Sequence, residues 1–374
     1  MPLTMTRTFH PVGHGAFYTE KFYDVVDIEH PYFTVVYDCG SNSPSVLHRV
    51  IDGEFDTDDN INLLFISHFH SDHINGINYL LNAKHCVINR FVIPIITLDV
   101  IIEAYLYNYI KTGNIQCSAN QILGQFYNGE YDDRLIKVHS FDEYIGHEIT
   151  FVDRSIDDII RTDGVINIEV PTIIRNDNWL YVPYNVNNKR NELIRKIINH
   201  PDFQGIVEGE GRIDTDLLSD RLNILGLDSC KGIYEQIYGK NHNVYSMPVF
   251  SGTTDNNFMN ECCQNGMIPK ACNWNCLYMG DKKMGARLFK GFQSFYREYW
   301  NNIGILQVPH HGTKAYSYHK LYEPAKFCII SCRSNSTKYP NKDVLFDIHN
   351  TGSLYYVVTD DAGTKKEFKY TLVH

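Results

Sequence analysis

Residues 62–73 read Asn62-Leu63-Leu64-Phe65-Ile66-Ser67-His68-Phe69-His70-Ser71-Asp72-His73, and this stretch decides the fold. Its first half is a short apolar run, the pattern of a buried strand. That strand delivers the chain directly to His68. Successive residues of an extended chain point to opposite sides, so His68 and His70 project together. Asp72 then takes an expected helix N-cap position, and a helix is predicted over 74–81. The turn into that helix brings Asp72 and His73 back towards the two histidines. Three imidazoles and one carboxylate in so short a run suit a borderline divalent cation such as Zn²⁺. A merely solvated turn would not be fed by a buried apolar strand.

Working outward, the same order of strand and then polar cluster recurs. Upstream, Phe33-Thr34-Val35-Val36-Tyr37 is rich in strand formers and ends at Asp38-Cys39-Gly40-Ser41. Earlier still, Gly13-His14-Gly15 allows a tight turn that makes His14 either a pocket-lining or a turn residue. Downstream, strands are predicted at 91–96, 148–152, 168–174, 179–184, 243–250, 275–279, 303–308, 327–331 and 354–358. Helices are predicted over 44–51 and 284–299. Two helical stretches, 97–145 and 187–240, read as insertions or a cap within a single domain spanning 1–374. The alternation gives a layered α/β protein, in which functional side chains gather at strand ends.

Composition narrows the partners. The 374 residues carry 34 basic and 44 acidic side chains, a formal net charge of -10, which is unlike a general nucleic-acid binder. No apolar run is long enough to span a membrane, and the N-terminal residues lack a signal-peptide core, so a cytoplasmic location without membrane attachment is expected. The ten cysteines show no framework spacing and read as buried free thiols. Cys262, Cys263, Cys272 and Cys276 have poor spacing for a zinc knot.

The run His68-Phe69-His70-Ser71-Asp72-His73 matches the H-x-H-x-D-H pattern of the metallo-β-lactamase superfamily, which the chain resembles. Asp38, at the end of an early strand, and Leu277-Tyr278-Met279-Gly280-Asp281 match two further elements of that signature, in the same order. Gln307-Val308-Pro309-His310-His311-Gly312-Thr313 looks like the V-P-H-H-G-S element of the competence-protein (ComEC-like) metallohydrolase branch. Asn243-Val244-Tyr245-Ser246 resembles that branch's Asn-x-x-Ser element, and Gly13-His14-Gly15 its early glycine turn. The resemblance covers roughly 8–95 and 240–360. It departs from the branch at Tyr339-Pro340, where relatives carry His-Pro. His242, beside Asn243, is a candidate displaced ligand.

The resemblance implies a four-layer αββα sandwich with helical insertions and two divalent cations, zinc or manganese. His68 and His70 are expected to hold the first, Asp72 and His73 the second, with Asp281 bridging and His311 completing the second site. Asp72 would also orient the attacking water, and His310 would act as acid or phosphate contact. Asp38 reads as an orienter of a ligand histidine. His14, Asn243, Ser246 and Thr313 are expected to line the pocket or support the ligands. Lys282, Lys283 and Lys314 are near enough in sequence to attract phosphate. The expected reaction is hydrolysis of a phosphodiester, in a nucleotide or nucleic acid. Another ester, lactone or amide is the alternative within the same chemistry. A metal-stabilised sensor, binding a protein partner through the middle insertion, is the alternative outside it.

Overall fold

The computed structural model describes residues 3–24, 26–141, 149–186, 190–206, 212–239, 245–254 and 274–372. Asn243, His242, Cys262, Cys263 and Cys272 lie outside them. The first sheet contains β1 (Leu3–Phe9), β2 (Gly15–Asp24), β3 (Phe33–Ser41), β4 (Asn60–Phe65), β5 (Val87–Pro94), β6 (Leu135–Val138) and β8 (Ile166–Ile168). The second contains β7 (Val152–Ser155), β9 (Thr172–Asn176), β10 (Trp179–Pro183), β11 (Val249–Gly252), β12 (Asn275–Tyr278), β13 (Ile303–Gln307), β14 (Phe327–Ser331) and β15 (Leu354–Val358). The last strand, β16 (Lys366–Leu372), returns to the first sheet beside β1. The orders are β16-β1-β2-β3-β4-β5-β6-β8 and β15-β14-β13-β12-β11-β10-β9-β7. Each sheet is mixed: β3 to β8 run parallel in the first, and β12 to β15 in the second.

Alternation along the central strands explains the layering. Val35 and Tyr37 of β3, with Leu63 and Phe65 of β4, face the core between the sheets. Val36, Cys39, Leu64 and Ile66 face a second core, under the helices on the outer side. Strands buried on both faces read as continuous apolar runs, which is why 62–67 stood out. Tyr37 stacks on Tyr278 across the sheets with ring centroids 4.7 Å apart.

The first eight helices are α1 (Pro44–Glu54), α2 (Ser71–Ile74), α3 (Ile77–Asn82), α4 (Leu98–Thr112), α5 (Ser118–Asn128), α6 (Ile156–Arg161), α7 (Arg190–Ile198) and α8 (Thr215–Ile237), all but one on that outer side. The exception is α6, which packs on β7 and β9 of the second sheet. Three more, α9 (Ala286–Phe295), α10 (Arg297–Trp300) and α11 (Lys342–Asn350), follow the second sheet. The predicted helix over 74–81 is two short helices, and His70 rather than Asp72 occupies the N-cap position of the first. The stretch 97–145 is not wholly helical, since β6 extends the first sheet from within it. Helices α4, α5, α7 and α8 pack on one another as one block, with α8 broken at Gly226. Of the cysteines described, all are free, and Cys276 is buried within β12.

One buried polar group near the start of the chain makes stability depend on pH. His10 is buried, its Nε2 2.9 Å from Thr19 Oγ1 and its ring stacked on Phe17. Burial pulls its pKa from 6.5 down to about 4, although Glu54 opposes this. The folded state therefore favours neutral imidazole. The associated stability is complete above pH 6.5 and is lost as pH falls towards 4, amounting to about 3 kcal/mol. Urea unfolding between pH 7 and 4.5 should show this slope, and His10→Asn should flatten it. An unchanged slope in the variant would assign the acid sensitivity elsewhere.

Candidate metal centre

The C-terminal ends of β3, β4, β12, β13 and β14 converge, and each supplies a piece of the site. At the end of β3, Asp38 adopts a left-handed backbone (φ 54°), sparse territory for a residue with a Cβ. This aims its carboxylate inward. Asp38 Oδ1 accepts from the Ser67 amide at 2.7 Å, and Oδ2 accepts from Ser67 Oγ and His73 Nδ1, each at 2.7 Å. Ser67 Oγ in turn lies 2.9 Å from His68 Nδ1 and accepts its proton. After β13, His310 and His311 are also left-handed, at φ 49° and 57°. Two consecutive non-glycine residues in this region mark a strained turn held by its surroundings. His311 Nδ1 donates to the Ser331 carbonyl, at the end of β14, at 2.8 Å.

These bonds fix the tautomers. His68 and His311, and His73 in its neutral form, each spend Nδ1–H on a protein acceptor, leaving Nε2 as a bare lone pair. His70 is reversed: its Nε2 donates to the Glu103 carboxylate at 3.0 and 3.1 Å, leaving Nδ1 bare. All four bare nitrogens are buried and lack a hydrogen-bond partner. A buried acceptor without a donor costs free energy that native proteins rarely tolerate. A cation supplies what each lacks, so the residues present fit a metal.

The ligand-type atoms fall into two tight groups, His68–His73–Asp281 and His14–Asp72–His311, each with atoms within 4.8 Å of one another. The pairing differs from the sequence expectation. His73, expected beside Asp72, sits with His68 and Asp281, because α2 turns it back and Asp38 anchors its Nδ1. His14, expected as a lining or turn residue, joins Asp72 and His311, its ring 3.6 Å from that of His311. His70 lies in neither tight group. Its ring is 4.5 Å from that of His68, and Glu103 holds its far nitrogen.

Charge in the site is finely opposed. Burial works against charge on His73, yet Asp281 and Asp38 hold it well above the usual imidazole range. Burial would raise both Asp281 and Asp72, but the facing histidines hold both below the usual carboxylate range. Burial, reinforced by His73 and His70, pushes His68 well below its ordinary value. Burial and His311 take His14 down to about 3. A cation arriving here would take the place of the Nε2 proton that makes His73 charged.

The remaining expected residues have definite places. Ser246 Oγ accepts from the Asp281 amide at 2.9 Å and so fixes the loop after β12. Thr313 Oγ1 donates to the His310 carbonyl and accepts from His310 Nδ1, both at 2.8 Å; it holds His310 rather than facing a substrate oxygen. His310 is 20% exposed, stacks on Tyr316, and has its Nε2 3.6 Å from Asp281. Burial brings its pKa down to about 4. Tyr339 lies 5.4 Å from the His14 ring. Lys314 is paired with Asp347, and Lys282 is buried with its ammonium donating to the Val186 carbonyl. Lys283 lies over Tyr316.

Glu103, Tyr107 and Asn108 were not singled out from the sequence. All three come from α4: Tyr107 stacks on His70 at 3.6 Å, and Asn108 accepts from the Ser71 amide and donates to the Phe69 carbonyl. Their signal is a carboxylate and an amide in the middle of a largely apolar helix, groups that must find partners when buried.

Glycine makes the close approach of loop and strand workable. A Cβ on Gly40 would lie 2.4 Å from the backbone of Asp72 and His73. Gly40→Ala should therefore displace the ligand loop, lowering stability by about 1–3 kcal/mol and weakening metal uptake. Thermal melts with and without zinc would test it, and a zinc-induced stabilisation equal to wild type would contradict it.

Two facing mixed sheets with helices outside, and an H-x-H-x-D-H run at the end of a central strand, decide the architecture. This is the metallo-β-lactamase fold. A family model described as "Anti-Pycsar protein Apyc1" matches residues 7–129, about a third of the chain, and does not confirm the competence-protein branch. No curated protein matches. Among solved structures, a long-form RNase Z from yeast aligns over 96% of this chain at 8% identity and a TM-score of 0.34. The chain spans only 37% of that protein's length. A subclass B3 metallo-β-lactamase from a soil metagenome library aligns over 82% of this chain and 76% of its own, at 10% identity and a TM-score of 0.29. An archaeal metallo-β-lactamase superfamily protein from Sulfolobus tokodaii aligns over 80% and 77%, at 13% identity and 0.28. Likenesses this loose say nothing of substrate. No helix among the described residues is long and apolar enough to cross a membrane.

Proposed function

We propose that this protein is a metal-dependent phosphodiesterase acting on a small nucleotide, with a cyclic nucleotide as the favoured class. The observation that carries the reading is the pair of adjacent histidine–carboxylate groups, in which His68, His73 and His311 each present a buried imidazole nitrogen without a hydrogen-bond partner. His68, His73 and Asp281 would hold one divalent cation, with His70 Nδ1 alongside, and Asp72, His311 and His14 the other. Two such cations, zinc or manganese, lower the pKa of water and stabilise both attacking and leaving oxygens at phosphorus.

The chain's own groups do the rest. Asp72 orients the attacking water. His310 stands at the edge with Nε2 bare and is neutral above pH about 4. It can take the water's proton and return it to the ester oxygen that leaves. Thr313 and Tyr316 hold its ring in place. Water adds to phosphorus, one P–O ester bond breaks, and a phosphomonoester with a free hydroxyl results.

The matched family's description supports a cyclic-nucleotide substrate, and the competence-branch resemblance supports a phosphodiester. The net charge of -10, with Lys282 and Lys314 committed elsewhere, suits a small anion better than a long nucleic acid. The test is turnover by the zinc- or manganese-loaded protein of bis-p-nitrophenyl phosphate, cyclic nucleotides, single- and double-stranded DNA and a lactam panel. Cyclic-nucleotide cleavage is expected. Lactam turnover alone would overturn the reading in favour of amide hydrolysis. Two bound metals with no turnover of any of them would favour a metal-stabilised binding protein.

A further inference from the structure

The helical block has a role that its place outside the sheets conceals. Glu103 is buried on α4, 3% exposed, and its carboxylate meets two side chains among the described residues. One is His70 Nε2; the other is the Tyr234 hydroxyl of α8, which donates to Oε1 at 2.6 Å. Tyr234 is itself buried, and the neighbouring Tyr238 donates to the Asp99 carbonyl at 3.1 Å, in the first turn of α4. The chain of contacts thus runs from α8 through α4 to the bare Nδ1 of His70.

Two physical consequences follow. A carboxylate on Nε2–H selects the tautomer in which Nδ1 carries the lone pair. It also fixes the ring plane, which Tyr107 clamps from the side at 3.6 Å. Without Glu103 nothing selects the tautomer that presents Nδ1.

We propose that Glu103, itself held by Tyr234, is a positioning residue for His70, and that metal loading is thereby coupled to the packing of α8 on α4. This rests on the metal reading of the site. It goes beyond that reading in assigning a part in metal capture to a helix remote in sequence from every ligand.

Zinc affinity and stoichiometry should be measured by chelator competition on the full chain, for wild type, Glu103→Gln and Tyr234→Phe. Hydrogen exchange of α8 should be followed with and without zinc. The Co²⁺-loaded proteins should be compared by their visible absorption. Wild type should bind two ions and protect α8 on binding. Glu103→Gln should lose about 10–100-fold in affinity for one ion, with an altered Co²⁺ spectrum and an unchanged metal-free melting temperature. Tyr234→Phe removes only a hydroxyl; it should lose less affinity and most of the metal-dependent protection of α8.

Wild-type affinity for both ions in Glu103→Gln would overturn the proposal. So would equal weakening of both ions together with a lower metal-free melting temperature, the result of a structural role alone. Wild type binding no metal at all would fail differently, removing the metal reading and this proposal with it.

Discussion

The Asp72→Ala/His73→Ala double variant is expected to lose at least about 1,000-fold in kcat on whichever phosphodiester the wild type cleaves. The two residues belong one to each of the tight ligand groups, so the change strikes both cation positions at once. Stabilisation of a phosphoryl transition state by cations is worth several kcal/mol, and each 1.36 kcal/mol is tenfold in rate. The loss should appear in kcat, since it concerns charge that develops in the transition state. Asp72→Asn, which keeps the side-chain volume, controls for folding. It should retain the wild-type circular dichroism and still lose most activity. The double variant leaves Asp38 with Ser67 alone, so some stability is lost as well. Retained turnover in Asp72→Asn, with elemental analysis showing both metals still bound, would remove Asp72 from the catalytic reading.

Glu20→Gln should cost about 3–5 kcal/mol of stability without affecting metal stoichiometry. Arg7 is wholly buried between the sheets, and Glu20 on β2 is its ionic partner at 2.8 Å. Glu20 also accepts from Ser251 Oγ of β11, Tyr181 of β10 and Tyr278 of β12, at 2.8 to 3.0 Å. Arg7 reaches the Trp274 carbonyl as well. The pair therefore ties β1 and β2 of one sheet to three strands of the other. Neutralising the carboxylate leaves a guanidinium buried without its counter-charge, far costlier than replacing both partners by apolar groups. Denaturant unfolding of Glu20→Gln and of an Arg7→Met/Glu20→Leu double variant would separate these cases. The double variant should be markedly more stable than the single. A single variant within about 0.5 kcal/mol of wild type would show that the network contributes little.

Neither Arg7 nor Glu20 was visible as a pair in the sequence, although both stand on strands that alternation makes easy to place. Thirteen positions apart, they look like ordinary exposed charges on a hairpin. The second sheet, built from residues beyond 151, covers them. Glu103 was hidden for the same reason. Its partners are 33 residues upstream and 131 residues downstream, and the upstream one already has a place in the sequence as a ligand candidate. β16 is hard to see in the sequence because its run has only three apolar residues, Phe368, Tyr370 and Leu372, among charged and polar ones, and it forms an edge strand. The short helices after His70 were read as one because the backbone breaks at Asn75–Gly76, where no proline announces it.

The sequence by itself determined the α/β layering and the residues able to bind metal. Those rest on local rules: apolar alternation along a strand, and the chemistry of histidine and carboxylate packed into a short turn. Only the tertiary structure decided how those residues are grouped. His73 joins His68 and Asp281, Asp72 joins His311 and His14, and His70 is held by a carboxylate from α4. Which nitrogen of each imidazole stays bare depends on the acceptor that takes the other one's proton. Those acceptors, Asp38, Ser67, Ser331 and Glu103, come from four separate stretches of the chain. Their meeting is a property of the packed sheets and helices, and no spacing along the chain encodes it.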